Sequence, residues 1–456
     1  MTLRAALRLS LLTFVALFAA NHSPAQPAAQ SASVASTPPN ADLQLVVMLS
    51  RHGVRSPLGL VDQINKFSAA PWPEWDVRPG LLTAHGYQLM KLFGAWDRKE
   101  FSGEGLLSPE GCADSSHVFI HADTDQRTIA TAKALAEGML PGCNVPVHSL
   151  KETPTDGSSA SMNPAGGDSD PLFRPLVAGV AHVDPALAVA AIEGRTGGNP
   201  GNLTEDLHPQ LAALDRVLAG CGHAPASAKR MSIFDIPSSL KPASGDPPVA
   251  GSSPLVAAST MAENLLLEYT QGMSDTDVGW GCVDGATLRY LMQLDTARWD
   301  YGFRTQVIAR AYASNILDHI LKTMQQGATG KSVPGAIGNV GDRLVLLVGH
   351  DTNIVTVAGD LGINWVFDGR ADDTPPGGAL VFELWRSRED GKPFVRLRYT
   401  AQTLEQMRQA KPLTAADPPA DVPVFLPACS RQDFSCTWDG FSAALRQAID
   451  PADVSQ

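Results

Sequence analysis

Leu43-Gln44-Leu45-Val46-Val47-Met48-Leu49 runs directly into Ser50-Arg51-His52-Gly53-Val54-Arg55-Ser56-Pro57. A short apolar run rich in β-branched residues, stopped at a glycine-containing loop, reads as a strand buried on both faces. The pattern recurs near the other end of the chain, where Leu344-Val345-Leu346-Leu347-Val348 ends in Gly349-His350-Asp351-Thr352-Asn353. Ligands of a parallel α/β sheet gather at the carboxyl ends of its strands. Two such strands, each ending in a histidine beside charged or polar residues, therefore point to one shared site.

Working outward, Leu89, Leu92, Phe93 and Trp96 fall at i, i+3, i+4, i+7, the stripe of an amphipathic helix over 83–101. Val118-Phe119-Ile120 is a brief strand, and DQRTIATAKALAEGM (125–139) predicts a helix ended by Pro141-Gly142. Strand, helix, strand, helix implies a parallel sheet. The polar Gly/Ser/Pro stretch at 153–170 breaks this rhythm, and helical pattern dominates after it. Thr260 with Glu263 reads as a capping box opening a helix through Gln271, and a second long helix is expected over 301–325. Alternation returns with a helix over 352–361 and a closing strand pair at 379–385 and 394–400. The expected fold class is α/β, a parallel-rich central sheet flanked by helices with an inserted smaller, mostly α-helical domain. Residues 42–181 and 281–456 would form the α/β domain, and 182–280 the helical insertion.

The 456-residue chain, 44% hydrophobic, can bury a large core. Its 35 Lys+Arg against 47 Asp+Glu give a net charge of -12 with no basic run, which speaks against nucleic-acid binding. Arg4 and Arg8, the apolar stretch Leu9 to Ala20 and Ser23-Pro24-Ala25 follow the plan of a secretory signal over 1–25. That apolar run is shorter than the roughly 20 residues that span a bilayer. The mature chain is expected to begin near Gln26 with a flexible Pro/Ser/Ala-rich leader over 26–41. Cysteines at 112, 143, 221, 282, 429 and 436 suit an oxidising compartment. Cys429 with Cys436 would close a short loop and Cys112 with Cys143 would bracket a strand-helix unit, although six cysteines allow about fifteen pairings.

The first loop sets two guanidiniums, Arg51 and Arg55, around one imidazole, His52. Guanidinium forks match phosphate oxygens bidentately and stay charged, so they can neutralise a phosphoryl group while a neutral imidazole attacks phosphorus. Arg127, in Asp123-Thr124-Asp125-Gln126-Arg127-Thr128 where another strand meets its helix, is a third candidate. The second loop adds the imidazole of His350 and the carboxyl of Asp351, which can protonate a departing alkoxide once a bound phosphate raises its pKa. Plainer readings exist. Arg127 also reads as an ion-pair partner of Asp123, and Asp351 as a helix N-cap, a role compatible with acid catalysis. Beyond the signal segment, the remaining histidines (85, 117, 121, 148, 182, 208, 223 and 319) show no ligand spacing. Trp72, Trp75, Trp280 and Trp299 read as packing residues, some of which can line a cleft.

RHGVRSP (51–57) and HDTN (350–353) resemble the histidine acid phosphatase branch of the histidine phosphatase superfamily, whose signature is Arg-His-Gly-x-Arg-x-Pro followed far downstream by His-Asp. PWPEWDV (71–77), QRTIATA (126–132), LLLEYTQGM (265–273), GWG (279–281) and DDTPPGGALVFELW (372–385) look like its bacterial 4-phytase and glucose-1-phosphatase members. The resemblance implies an acid phosphomonoesterase with His52 as nucleophile, Asp351 as proton donor, and Arg51, Arg55, Arg127 and His350 as phosphate pocket. It further implies no cofactor, no metal and an acidic pH optimum, and it matches Asp123 to another acidic position near the pocket. Cysteines 112, 143, 429 and 436 match recurring disulfide positions of the bacterial members, which leaves Cys221–Cys282 by elimination.

The expected partner is a small-molecule phosphate monoester, a sugar or inositol phosphate. The protein is expected to be a periplasmic or secreted monomer, off the membrane once its signal is cleaved. Leu58-Gly59 and Cys282 stand where phytate-adapted relatives carry polar or basic residues, so specificity for phytate is not implied. The competing reading is an exported, non-catalytic protein that only binds phosphoryl ligands. Having both His52 and Asp351 argues against it, since a binder needs neither nucleophile nor acid. A mutase of the same superfamily fits Arg-His-Gly but not the signal segment.

Overall fold

The computed structural model describes residues 38, 40–59, 61–150, 169–222 and 230–455. The signal segment, most of the leader, most of the 153–170 stretch and His223 lie outside the described residues. The chain first forms β1 (Ala41–Arg51), α1 (Val61–Ile64), α2 (Ala84–Gly103), β2 (Val118–Ala122), α3 (Gln126–Met139) and β3 (Val147–His148). A largely helical stretch follows, with α4 (Pro185–Arg195), α5 (Asn202–Asp206), α6 (His208–Leu218), the hairpin β4 (Ser239–Pro242) and β5 (Val249–Ser252), α7 (Pro254–Thr270), α8 (Gly285–Gly302) and α9 (Gln306–Thr329). Next come β6 (Leu344–Gly349), α10 (Asp351–Leu361), β7 (Val366–Phe367), β8 (Arg370–Ala371), β9 (Ala379–Ser387) and β10 (Pro393–Ala401). The chain closes with α11 (Leu404–Gln409), β11 (Ala420–Val424), β12 (Ser435–Thr437) and α12 (Trp438–Ala448).

The central sheet has the order β11-β10-β9-β1-β6-β2-β3, with β12 also on β10. It is mixed: β1, β6, β2 and β3 run parallel, whereas β9, β10, β11 and β12 add antiparallel. Strand alternation explains the uninterrupted apolar run of β1. Val46 and Met48 pack with Leu89, Phe93 and Leu135 of α2 and α3, while Leu45, Val47 and Leu49 pack with Ile316, Ile320 and Ile354 of α9 and α10. In register, Arg51 pairs with Gly349, and both Ser50 and Ala122 pair with Val348, so β1, β6 and β2 stop at one level. No helix among the described residues is long and apolar enough to cross a membrane.

Two expected helices are corrected. The helix expected to open at Thr260 begins at Pro254, where Ser253 accepts from Val256 N and a proline fills the first turn. Thr260 sits inside α7, its hydroxyl reaching Val256 O at 3.4 Å, and Glu263 is not a capping residue. The single helix expected over 301–325 is broken: α8 ends at Gly302 and α9 starts at Gln306. Apolar spacing continues through both helices, which hides the break in the sequence. α8 packs against α6 and α7.

Disulfides join Cys112 to Cys143, Cys221 to Cys282 and Cys429 to Cys436. Cys112–Cys143 spans 31 positions, for which loop-closure entropy predicts a loss of about 3 to 4 kcal/mol when both are changed to Ser. Urea unfolding of that double variant measures it.

At the far edge of the sheet, Asp97 and Glu100 of α2, Glu104 just past its end, Glu383 of β9 and Asp421 of β11 surround one buried guanidinium, Arg398 of β10, with Lys99 and Arg396 the other nearby cations. Arg398 donates to Glu383 at 2.5 Å and pairs with Asp421 at 3.1 Å. One cation cannot serve this many carboxylates, and Asp97 Oδ2, Glu104 Oε2 and Asp421 Oδ1 have no hydrogen-bond partner among the described residues. Burial, more than Glu383, pushes Glu104 up to about 8, and burial pushes Asp97 up to about 7. Their folded pKa values are raised, so the folded state holds protons that the unfolded chain releases. The stabilisation is complete below the ordinary values of 3.8 and 4.5 and is lost as pH rises to 7–8. Melting temperature is expected to fall from pH 5 to about 8.5, and Asp97→Asn with Glu104→Gln should flatten that slope in a thermal-melt series.

Candidate active site

β1 ends at Arg51, and the following loop turns His52 and Arg55 inward; exposures of 2%, 2% and 3% make all three buried. His52 N donates to Gly349 O at 3.0 Å and Gly377 N donates to His52 O at 3.0 Å, tying the loop to its neighbours. Gly86 lets α2 approach this loop, since a Cβ there would lie 2.1 Å from Val54 O. Gly349 does the same at β6: a Cβ would meet Asn353 Oδ1 at 2.4 Å, the atom that accepts from His350 N at 2.9 Å and starts α10.

The imidazoles of His52 and His350 meet edge to face, ring centres 5.6 Å apart. His52 Nδ1 lies 2.9 Å from Gly53 O. Since a carbonyl only accepts, Nδ1 carries the hydrogen and Nε2 keeps a lone pair. Burial first, and then Arg127, Arg51, Arg55 and His350, lower the His52 pKa well below 6.5, so the ring is neutral even in mild acid.

Around this ring runs a network of opposite charges. Arg51 Nη2 contacts Glu263 Oε1 at 2.6 Å and Asp351 Oδ2 at 2.8 Å, and Arg55 Nη2 reaches the same Glu263 oxygen at 2.8 Å. Burial opposes ionisation of Glu263 and Asp351, but the adjacent Arg51 and Arg55 prevail and lower both carboxyls. Asp123, fully buried, accepts from His350 Nε2 at 2.7 Å and from Arg174 Nε at 2.8 Å. Against burial, these contacts hold its carboxyl well below the usual carboxylate range. Arg174 also pairs with Asp125, which takes Arg127 at 2.7 Å. Burial and neighbouring Arg55 and Arg174 lower Arg127 to about 10, still a cation in acid. The buried Nε–H groups of Arg51, Arg55 and Arg127 have no acceptor among the described residues, unused donors that suit an anionic ligand.

Thus the loops after β1, β2 and β6 bring together His52, Arg55, Arg127, His350 and Asp351 along one cleft of about 340 Å³ open to solvent, with Arg51 and Asp123 behind them. Two plainer readings are corrected. Asp351 is the first residue of α10, one past the N-cap His350, with Oδ2 committed to Arg51. Arg127 pairs with Asp125, not Asp123, because Arg174 and His350 occupy Asp123. Among the described residues, Asp123, Asp125 and His350 alone are grouped closely enough to share a metal ion, and the Arg174 guanidinium already sits among them.

Sequence reasoning missed Glu263 and Arg174. Glu263 is an acid in the apolar helix PLVAASTMAENLLLEYT, a signal that an inward-facing carboxylate needs a cation; Arg174 follows an irregular stretch without any periodic signal. Trp299 lines the cleft, whereas Trp72 and Trp280 pack on each other with ring centres 5.0 Å apart. Leu58 lines the cleft, and Cys282, bonded to Cys221, does not.

Residues 42–213 and 235–400 match the family model of the histidine phosphatase superfamily (branch 2). The chain is 33% identical to Phytase AppA of Escherichia coli (strain K12) over 440 residues, 93% of this chain and 96% of that protein. It is 28% identical to a glucose-1-phosphatase of Providencia rettgeri over 429 residues, 92% and 95% of the two chains. Among solved structures, a Hafnia alvei phytase in complex with tartrate superposes with a TM-score of 0.81 at 32% identity, covering 92% of this chain and 100% of that one. Matched by the family model over most of its length and covered almost end to end by these relatives, the chain belongs to branch 2 of the histidine phosphatase superfamily and is a histidine acid phosphatase.

Proposed function

We propose that the enzyme hydrolyses small phosphate monoesters in two steps through a phosphohistidine on His52. The observation that carries this reading is a buried imidazole, neutral in acid and with Nδ1 fixed on Gly53 O, beside cations and a carboxyl in one cleft. The Nε2 lone pair attacks phosphorus while Arg51, Arg55, Arg127 and His350 neutralise the phosphoryl oxygens. The P–O bond to the alcohol breaks, and Asp351 gives its proton to the departing oxygen. Water then attacks phosphorus, returning a proton to Asp351 and the bonding pair to His52 as phosphate leaves. In the free enzyme Asp351 is ionised against Arg51; a phosphate dianion that takes up the arginine charge and adds its own raises the carboxyl pKa.

The test is release of p-nitrophenol from p-nitrophenyl phosphate at about pH 5 with a chelator present. The pH dependence has a defined sign. A lowered His52 keeps the nucleophile active below 6.5, where an ordinary imidazole is protonated, while rising pH removes the proton from Asp351. Activity is expected to be highest in acid and to decline toward neutrality, as a pH–rate profile will show.

Leu58 in the cleft and Cys282 outside it supply no charge to the outlying phosphates of phytate. The kcat/KM for phytate is therefore expected to exceed that for glucose 1-phosphate by no more than about tenfold. We also propose that 182–280 forms the smaller domain, contributing Glu263 to the site, and that the enzyme is an exported monomer cleaved near Gln26. N-terminal sequencing of the periplasmic or secreted protein and its size in solution check this.

A further inference from the structure

Arg298, on α8, lines the same cleft but differs from the arginines beside it. Arg55, Arg127 and Arg174 each hold a carboxylate, whereas Arg298 makes no ion pair or hydrogen bond among the described residues. Its guanidinium lies 5.1 Å from the ring centre of Trp299, another cleft residue. Trp299 is itself fixed: its indole N–H donates to Asp295 Oδ2 at 3.2 Å, and the other oxygen of Asp295 accepts from Ser259 at 2.7 Å. A cation resting on a pinned aromatic ring keeps its N–H edge free and gives up little side-chain freedom when an anion arrives. The carboxylates facing the cleft are committed elsewhere, Glu263 to Arg51 and Arg55, Asp351 to Arg51, and Asp246 to the hydroxyl of Tyr312.

We propose that Arg298 is a specificity-determining residue that holds a second phosphoryl group of the substrate while the first reacts at His52, favouring small bisphosphorylated sugars or polyols over their monophosphates. The inference rests on the phosphatase reading above. A planar fork accepts two phosphate oxygens at once, a geometry that a neutral hydroxyl cannot match.

The experiment compares glucose 1,6-bisphosphate with glucose 1-phosphate for wild type, Arg298→Gln and Arg298→Lys. Arg298→Gln is expected to lower the ratio of kcat/KM values, bisphosphate over monophosphate, by about tenfold or more, mainly through KM, and Arg298→Lys to restore part of it. The wild-type ratio should also fall as salt is raised. An unchanged ratio in Arg298→Gln overturns the inference, as does an equal fall for both substrates. Wild type lacking activity on p-nitrophenyl phosphate would instead overturn the phosphatase reading, so the two failures are distinguishable.

Discussion

His52→Ala is expected to lose p-nitrophenyl phosphate hydrolysis by a factor of about 10^4 or more in kcat, with the fold retained. The loss is large because both steps pass through one atom: without Nε2 there is no attack on phosphorus and no intermediate for water to open. The fold should survive because, among the described residues, the side chain makes one hydrogen bond, to the adjacent Gly53 O, and the loop is held by backbone bonds to Gly349 and Gly377. Circular dichroism and a melting curve establish this. Brief mixing of wild type with radiolabelled phosphate ester, followed by denaturation, should leave phosphate on His52 and none on the variant. A variant retaining activity within about tenfold of wild type would sink the nucleophile assignment.

Asp351→Asn should divide substrates by their leaving groups. Sugar phosphates lose an alkoxide that needs a proton, and their kcat is expected to fall by about 10^2 to 10^4. p-Nitrophenolate is stable without one, so its release should slow by less than about tenfold. Removing the carboxylate also frees Arg51, with which Asp351 pairs at 2.8 Å, but that change in phosphate affinity is common to both substrates. The ratio of the two losses therefore isolates the proton transfer. Equal losses for both would assign Asp351 to electrostatics alone.

Much of this was legible in the sequence. β1 and β6 could be read because a strand covered on both faces must be apolar throughout, and Val46, Val47, Val345 and Leu347 all lie in that interior. The sequence order of strands and helices gave the parallel half, and 379–385 and 394–400 the antiparallel pair. Glu263 was invisible as a site residue because its partners lie 212 and 208 positions away, and its spacing from Thr260 imitated a capping box. Asp125 was passed over beside Asp123, since adjacent acids at a helix start look alike until Arg174 arrives from another loop. The α8–α9 break was missed because apolar periodicity reports which face is buried, not whether the axis is continuous.

Because β1 is flanked by β6 and β9, His52, the proposed nucleophile, reaches its place only when distant parts of the chain pair with β1. His52, Arg55 and Arg127 leave the ribosome early, but Gly349 O, His350 and Asp351 follow much later. A nascent chain, or a fragment ending before β6, thus carries the proposed nucleophile without the proposed acid or the strand beside it. Order of synthesis would then act as a safety catch: the site is not complete until the last quarter of the chain has emerged and folded. Long-range closure of this kind is slow.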